Sequence, residues 1–277
     1  MQSILFRGSS EDHPLVVADL WDCDTLGIAD ETTGFRAFFA SEVDVSLILS
    51  KHSELVVETR VETESPLTGF SREDWDPVLV GERFIIAPSW VDLSASEGRL
   101  RLSIDATTAF GTGRHESTQL AIRALERYVS PGMTVVDIGC GSGILSAAAL
   151  ALGARSAIAC DVHPEAVATA CRHLHSLVFL GSIDAIRNSS ADLVVANISK
   201  VVIDALTVDL NRIATPGAIL VLAGFLQQNP PTQFAPEEVI DLDGWACWIC
   251  RARPESGICP DQQHRLRSDA EHWHSPT

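Results

Sequence analysis

The sequence predicts a doubly wound α/β domain, in which a mostly parallel seven-stranded sheet ends in an antiparallel hairpin, preceded by a small α+β domain. Two observations predict the large domain. Apolar, β-branched segments alternate with helical segments from residue 114 onward, as in parallel sheets that helices cover on both faces. The last two apolar segments then follow each other without a helix. Hydrophobic residues make up 46% of the 277 residues, which suffices for a core and excludes a disordered chain.

The N-terminal α+β domain is predicted at residues 1–64. Apolar residues at helical spacing predict a helix over Leu15–Leu26. Apolar and β-branched runs predict strands over Gly34–Ala40 and Glu54–Glu62. The residues before this helix do not indicate a strand.

A linker segment is predicted at residues 65–100. Pro, Ser, Gly and acidic residues cluster over Glu64–Ser71 and again over Asp92–Gly98, a composition typical of connecting segments. Between the two clusters, Glu82–Ile86 predicts a short strand that Pro88 closes.

The large domain is predicted at residues 101–253, where strands and helices alternate. The predicted helices are Glu116–Tyr128, Ile144–Ala151, Pro164–His175 and Val201–Ile213. The predicted parallel strands are Thr134–Ile138, Ser156–Cys160, Val178–Leu180, Leu193–Ala196 and Ala218–Ala223.

The sheet is predicted to end in a hairpin of Val239–Leu242 and Trp245–Arg251, because Asp243-Gly244 is a strong two-residue turn signal. The prolines between Pro230 and Pro236 predict that the helix before this hairpin is short or missing. Residues 254–277 have little periodicity and are predicted to form a flexible tail.

The charge balance disfavours nucleic acid as the main partner. The chain has 20 Lys and Arg against 37 Asp and Glu, a net charge of −17, and only two of the 20 are Lys. Sequence-independent binding to DNA or RNA depends on many cationic contacts to phosphates. Residues 1–100 hold 19 acidic and seven basic residues. This excess indicates either an ordinary solvated surface or a docking face for a basic partner.

The chain is predicted to be cytoplasmic and to bind no membrane. Its first ten residues lack the basic start and apolar run of a secretory signal. Seven cysteines in a chain of this size indicate reduced thiols. A metal site at Cys247, Cys250, Cys259 and His264 is the less favoured reading, because the first two lie three residues apart on a predicted strand and face opposite ways. We therefore predict no metal.

The residues at the ends of the first two strands indicate an adenosine-type ligand. Glycines alternate in Asp137-Ile138-Gly139-Cys140-Gly141-Ser142-Gly143, which allows a tight turn and close approach of a ligand. The second strand ends at Asp161, where a carboxylate can accept both ribose hydroxyls. The dinucleotide-binding pattern fits poorly, because Ser146 stands where its third glycine is expected.

The spacing Asp-x-Gly-x-Gly-x-Gly resembles that of S-adenosylmethionine-dependent methyltransferases, whose fold also ends in an antiparallel hairpin. Further motifs are similar to the bacterial methyltransferases that modify large-subunit ribosomal protein eleven, the PrmA family. They are the loop Ala109–Thr118, the segments Gly81–Phe84 and Ala87–Trp90, and Val195–Ile198. The resemblance extends from about Ser71 to Arg253. Asp105-Ala106-Thr107 and Ser199-Lys200 depart from the family's usual residues.

The resemblance implies a Rossmann-like methyltransferase fold, S-adenosylmethionine as the cofactor, and an N-terminal substrate-recognition domain. Asn197 is implied as the catalytic residue, because its amide oxygen can accept an N–H from the incoming amine. Phe110 would cover the cofactor, and Thr118 would meet its methionine carboxylate at a helix start. The implied cofactor-binding residues are Phe110, Thr112, Thr118, Asp137, Gly139, Gly141, Gly143, Asp161 and Asn197.

These observations predict a monomeric protein methyltransferase that acts on lysine or N-terminal amino groups of a basic ribosomal protein. Two alternatives stay open. One is a related methyltransferase with another protein or a small molecule as acceptor. The other is a cofactor-binding interaction module without catalytic activity. Binding without turnover would distinguish the interaction module from both enzymes.

Overall fold

The computed structural model describes residues 2–7, 14–21, 23, 25, 27–31, 34–39, 43–44, 46–52, 57–61, 77–88, 90–91, 98–104, 113 and 115–253. The described strands form three sheets, of four, three and seven strands. No described helix is long and apolar enough to cross a bilayer.

The N-terminal sheet is antiparallel and has the order β2-β3-β1-β4. Two short helices accompany it. Its elements in chain order are β1 (Gln2–Arg7), α1 (Pro14–Trp21), β2 (Gly27–Glu31), β3 (Gly34–Phe39), α2 (Ser46–Lys51) and β4 (Val57–Val61).

Strand β1 lies in the middle of this sheet, between β3 and β4, although the sequence did not indicate a strand before Leu15. Five successive residues of β1 are buried, so the strand lacks the apolar–polar alternation by which a half-exposed strand is recognised. The predicted helix over Leu15–Leu26 was too long. The helix ends at Trp21, and a further strand, β2, begins at Gly27.

A three-stranded sheet follows, with the order β5-β6-β7. Its strands are β5 (Val78–Val80), β6 (Phe84–Pro88) and β7 (Leu100–Ile104). Only the central strand, β6, was predicted. Glu126, on the following helix, holds the β5–β6 turn, because its carboxylate accepts hydrogen bonds from the backbone amides of Glu82 (3.0 Å) and Arg83 (2.9 Å).

The seven-stranded sheet has the order β10-β9-β8-β11-β12-β14-β13. Its strands are β8 (Thr134–Ile138), β9 (Ser156–Asp161), β10 (Leu177–Leu180), β11 (Ala191–Asn197), β12 (Ala214–Leu226), β13 (Glu238–Leu242) and β14 (Trp245–Arg251). The accompanying helices are α3 (Glu116–Tyr128), α4 (Ile144–Ala151), α5 (Pro164–His173), α6 (Lys200–Ala205) and α7 (Thr207–Ile213). Strands β8 to β12 are parallel, and β14 runs antiparallel to both of its neighbours. The predicted fold class is confirmed.

Alternate residues of the central strands pack on opposite faces of this sheet. Val135 and Leu193 belong to the apolar cluster that contains α3 and α4. Val136 and Val194 belong to the cluster on the other face, with Leu210 and Ile213 of α7. Both faces are therefore covered, and the strands are apolar throughout.

The predicted helix over Val201–Ile213 is divided into α6 and α7 at Leu206. The hydroxyl of Thr207 donates to the backbone carbonyl of Asp204 at 2.8 Å. A Thr side chain that bonds to the preceding turn in this way bends a helix. The hairpin turn matches the prediction, because Asp243 (φ 48°) and Gly244 (φ 82°) both adopt positive φ, as a type I′ turn requires.

Candidate active site

The strand register places the predicted site residues at one edge of the seven-stranded sheet. Ile138, the last residue of β8, pairs with Cys160 of β9 on one side and with Ala196 of β11 on the other. The next residues in the three strands are Gly139, Asp161 and Asn197. Strands β8 and β11 are neighbours although β9 and β10 lie between them in the chain. This is the switch point at which doubly wound sheets bind ligands.

The glycine-rich turn after β8 is held by its own backbone and by Asp161. The amides of Gly139 (2.9 Å) and Cys140 (3.0 Å) both donate to the carbonyl of Cys160. The amide of Gly141 donates to Asp161 Oδ2 at 2.9 Å. These amides are therefore used within the protein, and the glycines serve the turn by their backbone shape and their lack of side chains.

Glycine is required at two positions of this turn. Gly139 has a φ of +68°, and a Cβ atom there would lie 2.4 Å from Cγ2 of Ile198. Gly143 has a φ of +81°, and a Cβ atom there would lie 2.5 Å from Cδ1 of Leu174. The left-handed backbone and the close neighbours both disfavour a side chain. Ile198, which follows Asn197, is thus packed directly against the turn.

Asp161 is buried and connects the turn with the start of α5. Its Oδ2 accepts the Gly141 amide, and its Oδ1 accepts the His163 amide at 2.9 Å. An ionised carboxylate has about four lone-pair positions. Each oxygen therefore retains capacity for a ligand hydroxyl.

Asp137 is fully buried in β8 and has one carboxylate oxygen without a partner. Its Oδ2 accepts from the backbone amide (3.0 Å) and the hydroxyl (2.7 Å) of Ser146 in α4, whereas no described residue bonds to Oδ1. Burial raises the pKa of Asp137 to about 6, opposed by the two Ser146 hydrogen bonds. Ser146 was not predicted as a site residue. Its only signal was its place in the glycine pattern.

Asn197 and Thr118, two of the predicted site residues, are joined by a hydrogen bond. The Asn197 side-chain nitrogen donates to the Thr118 hydroxyl at 3.1 Å. The Asn197 side-chain oxygen is buried and has no partner among the described residues. A buried acceptor without a donor costs free energy, so this oxygen is poised for a donor that a ligand supplies.

Thr118 is buried in the first turn of α3, and His115 caps that helix. The Nδ1 atom of His115 accepts from the backbone amide of Ser117 at 3.2 Å, and its ring contacts the Trp245 ring edge-on at 4.5 Å between centroids. Burial lowers the pKa of His115 to about 4. The neutral ring at physiological pH keeps the acceptor that the cap needs.

The loop Ala109–Thr118, here called the cover loop, was predicted to lie over the cofactor. Before His115, only its residue Gly113 is described. Phe110 and Thr112 lie outside the described residues, as does Asp105-Ala106-Thr107. Gly113 is described and buried. A Cβ atom there would lie 2.5 Å from Cδ1 of Ile86 in β6 and 2.8 Å from Cδ1 of Ile144 in α4. Gly113 therefore lies between β6 of the three-stranded sheet and the start of α4.

A cavity of about 430 Å³ lies at the opposite edge of the sheet. Thr134, Ser156 and Leu177, the first residues of β8, β9 and β10, line it together with Arg155 and Arg187. The connection from β10 to β11 contains a single 3₁₀ turn instead of a full helix, which leaves this end of the sheet face partly open. The cavity is separate from the candidate site at the carboxyl ends of the strands.

The alternative metal site included Cys247 and Cys250, and these two cysteines belong to different parts of the core. Cys247 packs in the cluster with α3, whereas Cys250 packs on the other face of the sheet. Burial raises the pKa of Cys250 to about 12. Among the described residues, no group of His, Cys, Asp and Glu has the arrangement of a metal site. Cys259 and His264 lie outside them.

Comparison with known proteins identifies the family. A family model described as "Ribosomal protein L11 methyltransferase (PrmA)" matches residues 26–252. Curated proteins named ribosomal protein L11 methyltransferase are similar to this chain. The protein from Heliobacterium modesticaldum is 32% identical over 280 residues, which cover 87% of each chain. The protein from Clostridium botulinum is 31% identical over 244 residues, which cover 79% of this chain and 77% of that protein. The Pelotomaculum thermopropionicum protein of that name is 36% identical over 180 residues, which cover 62% of this chain and 58% of that protein.

A solved structure supports the fold. The ribosomal protein L11 methylase of Lactobacillus delbrueckii aligns with a TM-score of 0.59 at 22% identity, over 65% of this chain and 99% of that one. The family model covers far more than half of the chain, including both strand ends that carry Asp161 and Asn197. This chain therefore belongs to the ribosomal protein L11 methyltransferase (PrmA) family.

Proposed function

We propose that the chain transfers methyl groups from S-adenosylmethionine to amino groups of ribosomal protein L11, on lysine side chains or at the N-terminus. Membership of the family supports the reaction and its acceptor. The observation that carries the proposal within this chain is the buried Asn197 oxygen, which has no partner and lies at the ligand-binding edge of the sheet. An amine that enters the site brings the N–H donor that this oxygen needs.

The residues at the switch point fit this cofactor. The ribose has two neighbouring hydroxyls, and the buried Asp161 carboxylate retains acceptor capacity on both oxygens. The methionine part carries a cationic ammonium group, and the unpartnered oxygen of buried Asp137 is a matching acceptor. The Gly139–Gly143 turn has glycine at alternate positions, which lets the backbone turn tightly beside the cofactor.

Thr118 and the cover loop complete the proposed cofactor site. The Thr118 hydroxyl lies in the first turn of α3, where the positive end of the helix dipole favours a carboxylate. We propose that Phe110 and Thr112 cover the bound cofactor and exclude water.

When bound, S-adenosylmethionine would supply an electrophilic methyl group on a cationic sulfonium, whose S–C bond would break as the amine nitrogen bonds to the methyl group and leave a neutral thioether. A lysine amine has an ordinary pKa of about 10.4 and must lose a proton before it attacks. Entry into an apolar site next to a positive charge lowers that pKa. Asn197 accepts one of the remaining N–H groups and thereby directs the nitrogen lone pair toward the methyl group. Positioning is therefore the main task of the protein.

We propose that the substrate is a basic protein and that residues 1–64 recognise it. Residues 65–100 would link this recognition domain to a methyltransferase domain at residues 101–253. The excess of acidic residues in the first hundred positions suits a lysine-rich partner. We propose that the enzyme acts as a cytoplasmic monomer and binds no nucleic acid directly.

A transfer assay with purified components tests this proposal. Purified chain is mixed with purified ribosomal protein L11 and methyl-labelled cofactor, and cofactor binding is measured in parallel by calorimetry. We expect Asn197→Ala to reduce turnover by on the order of a hundredfold, because misplacement of the amine is costly, while the cofactor Kd changes little. Asn229→Ala, which removes an exposed amide elsewhere, serves as the control. Equal losses of turnover and cofactor affinity would contradict the orienting role, and cofactor binding without any transfer would favour the non-catalytic alternative.

A further inference from the structure

The surface that directly follows Asn197 carries two exposed apolar side chains. Val201 and Val202, in the first turn of α6, are 45% and 41% exposed, whereas Ile203 beside them is fully buried. Helix α6 therefore packs by Ile203 and presents the two valines to solvent. Nothing in the packing of the described residues requires these valines to be apolar.

The position of this surface is fixed by its attachment to the site. The amide of Ile198 donates to the carbonyl of Ala223 at 3.1 Å, and the Ser199 hydroxyl caps α6 by accepting the Val202 amide. Val202 is five residues from Asn197, so their Cα atoms are at most about 17 Å apart. An extended polypeptide covers that distance in about five residues. Residues next to an acceptor lysine are thus within reach of the two valines.

A charge pair lies beside the valines. Lys200 Nζ is 3.2 Å from Asp204 Oδ2, and both side chains are about one-fifth exposed. The same carboxylate accepts from the backbone amides of Thr232 (2.7 Å) and Gln233 (3.3 Å). Asp204 thereby neutralises Lys200 and fastens the loop after β12 to α6.

We propose that Val201 and Val202 form a docking surface for the segment of L11 that carries the acceptor amine, and that Asp204 keeps Lys200 from repelling this segment. The inference rests on the proposed function, because it takes a basic protein as the acceptor. The apolar pair lies at most about 17 Å from the residue that receives the amine, so residues close to the acceptor in the L11 chain can reach it. An unpaired cation there would oppose a lysine-rich chain, and the ion pair removes that opposition.

The apolar part is tested by steady-state kinetics with purified L11. We expect the double variant Val201→Ser, Val202→Ser to raise the KM for L11 about fivefold to twentyfold, with kcat at saturating L11 and the cofactor Kd unchanged. The control is Val239→Ser, which removes a valine of matched exposure (42%) on the edge strand β13. An unchanged KM in the double variant overturns the docking surface. A Tm measurement shows whether the variants fold like the wild type.

The electrostatic part is tested by a rescue experiment. We expect Asp204→Asn, which keeps an acceptor for the Thr232 amide, to raise the KM for L11 about threefold to tenfold at low salt. The difference from the wild type should shrink as salt screens the repulsion between Lys200 and the lysine-rich chain. Adding Lys200→Met should restore the KM, which a purely structural role of Asp204 would not allow. A KM increase that persists in high salt and in the double variant overturns the electrostatic role.

The two proposals fail in different ways. Turnover of L11 by the wild type, with a KM that the valine and Asp204 variants leave unchanged, overturns the docking surface and leaves the proposed function intact. Absence of L11 methylation by the wild type overturns the proposed function and, with it, the acceptor on which the docking surface depends.

Discussion

At the scale of single residues, the side chain of Asn197 is divided between two tasks. Its nitrogen donates to Thr118, which fixes the orientation of the amide group. Its oxygen is left for a ligand. A carboxylate could not donate to Thr118 in the same way, and a shorter side chain would not span the distance. The pair therefore explains why an amide suits this strand end.

The Thr118 hydroxyl should be needed as an acceptor for Asn197. In Thr118→Val the partly buried Asn197 nitrogen loses its partner, which costs up to about 1–3 kcal/mol. We expect kcat to fall by about tenfold or more in this variant, whereas Thr118→Ser retains the hydroxyl and most of the activity. Single-turnover rates on L11 would measure both. Equal activity of the Val and Ser variants would show that the hydrogen bond is dispensable.

The buried Asp137 carboxyl should make stability depend on pH. Its pKa is raised from 3.8 to about 6 in the folded protein, so between about pH 4 and 6 the folded state holds a proton that the unfolded chain has largely lost. The free energy of unfolding therefore decreases as pH rises through this window, and the last part of the decrease, about 1 kcal/mol, falls between about pH 5.5 and 7.5. Asp137→Asn should lack this contribution.

Urea unfolding of the wild type and Asp137→Asn at several pH values would measure this effect. Subtracting the two curves removes the titration of groups that both proteins share. A difference in free energy of unfolding that is constant from pH 5.5 to 7.5 would contradict the raised pKa. The pKa of His115 is lowered from 6.5 to about 4 in the folded protein, so His115 makes stability rise with pH up to about pH 6.5. The subtraction removes this contribution, because both proteins contain His115.

At the scale of elements, the strand register assembles the site. Ile138, Cys160 and Ala196 are aligned across three strands, so one residue of extension in each strand brings Gly139, Asp161 and Asn197 to one edge. The sequence was enough to predict these strand ends, because fully buried parallel strands are apolar throughout and end abruptly at polar or glycine residues. The family resemblance on the same motifs is confirmed by the match over residues 26–252.

Other elements could not be predicted in the same way. Strand β1 is buried along five residues and shows no alternation, and β2 contains few apolar residues over Gly27–Glu31. In β7, Leu100 and Leu102 alternate with Arg101, as expected for a strand. The strand was still not predicted, because its partner β6 lies in residues 65–100, which were assigned to a linker. Contacts such as Ser146 with Asp137, or Ile198 with Gly139, depend on tertiary packing and have no signature in local sequence.

The effect of replacing a glycine of positive φ should depend on the atoms that a new Cβ would contact. Gly139→Ala combines an unfavourable φ with a Cβ atom 2.4 Å from Ile198 Cγ2, whereas Gly132→Ala has a similarly positive φ but no neighbour within 4 Å. We expect Gly132→Ala to cost about 1–3 kcal/mol of stability through the backbone alone. Gly139→Ala should cost more and should also weaken cofactor binding, because Ile198 must move. Calorimetric cofactor titrations and urea unfolding of both variants would test this. Identical behaviour would show that the contact with Ile198 is unimportant.

At the scale of the whole molecule, the three sheets are joined into one continuous core. Val16, Val17 and Leu20 of α1, Phe84 and Ile86 of β6, and Trp245 of β14 all belong to the same apolar cluster. The net charge is concentrated in residues 1–100, which hold 19 acidic and seven basic residues, against 14 and 11 in residues 101–253. The nearly balanced segment contains the candidate site, and the acidic segment includes the residues proposed to recognise the substrate.

The most direct test of the central claim is the identity of the methylated protein in a whole lysate. Lysate from a strain that lacks this enzyme is incubated with tritium-methyl-labelled S-adenosylmethionine and purified chain, either wild type or Asn197→Ala. We predict that the wild type labels ribosomal protein L11 as the main band and that the variant labels it far more weakly. An unlabelled L11 together with a different labelled band would contradict the proposed acceptor.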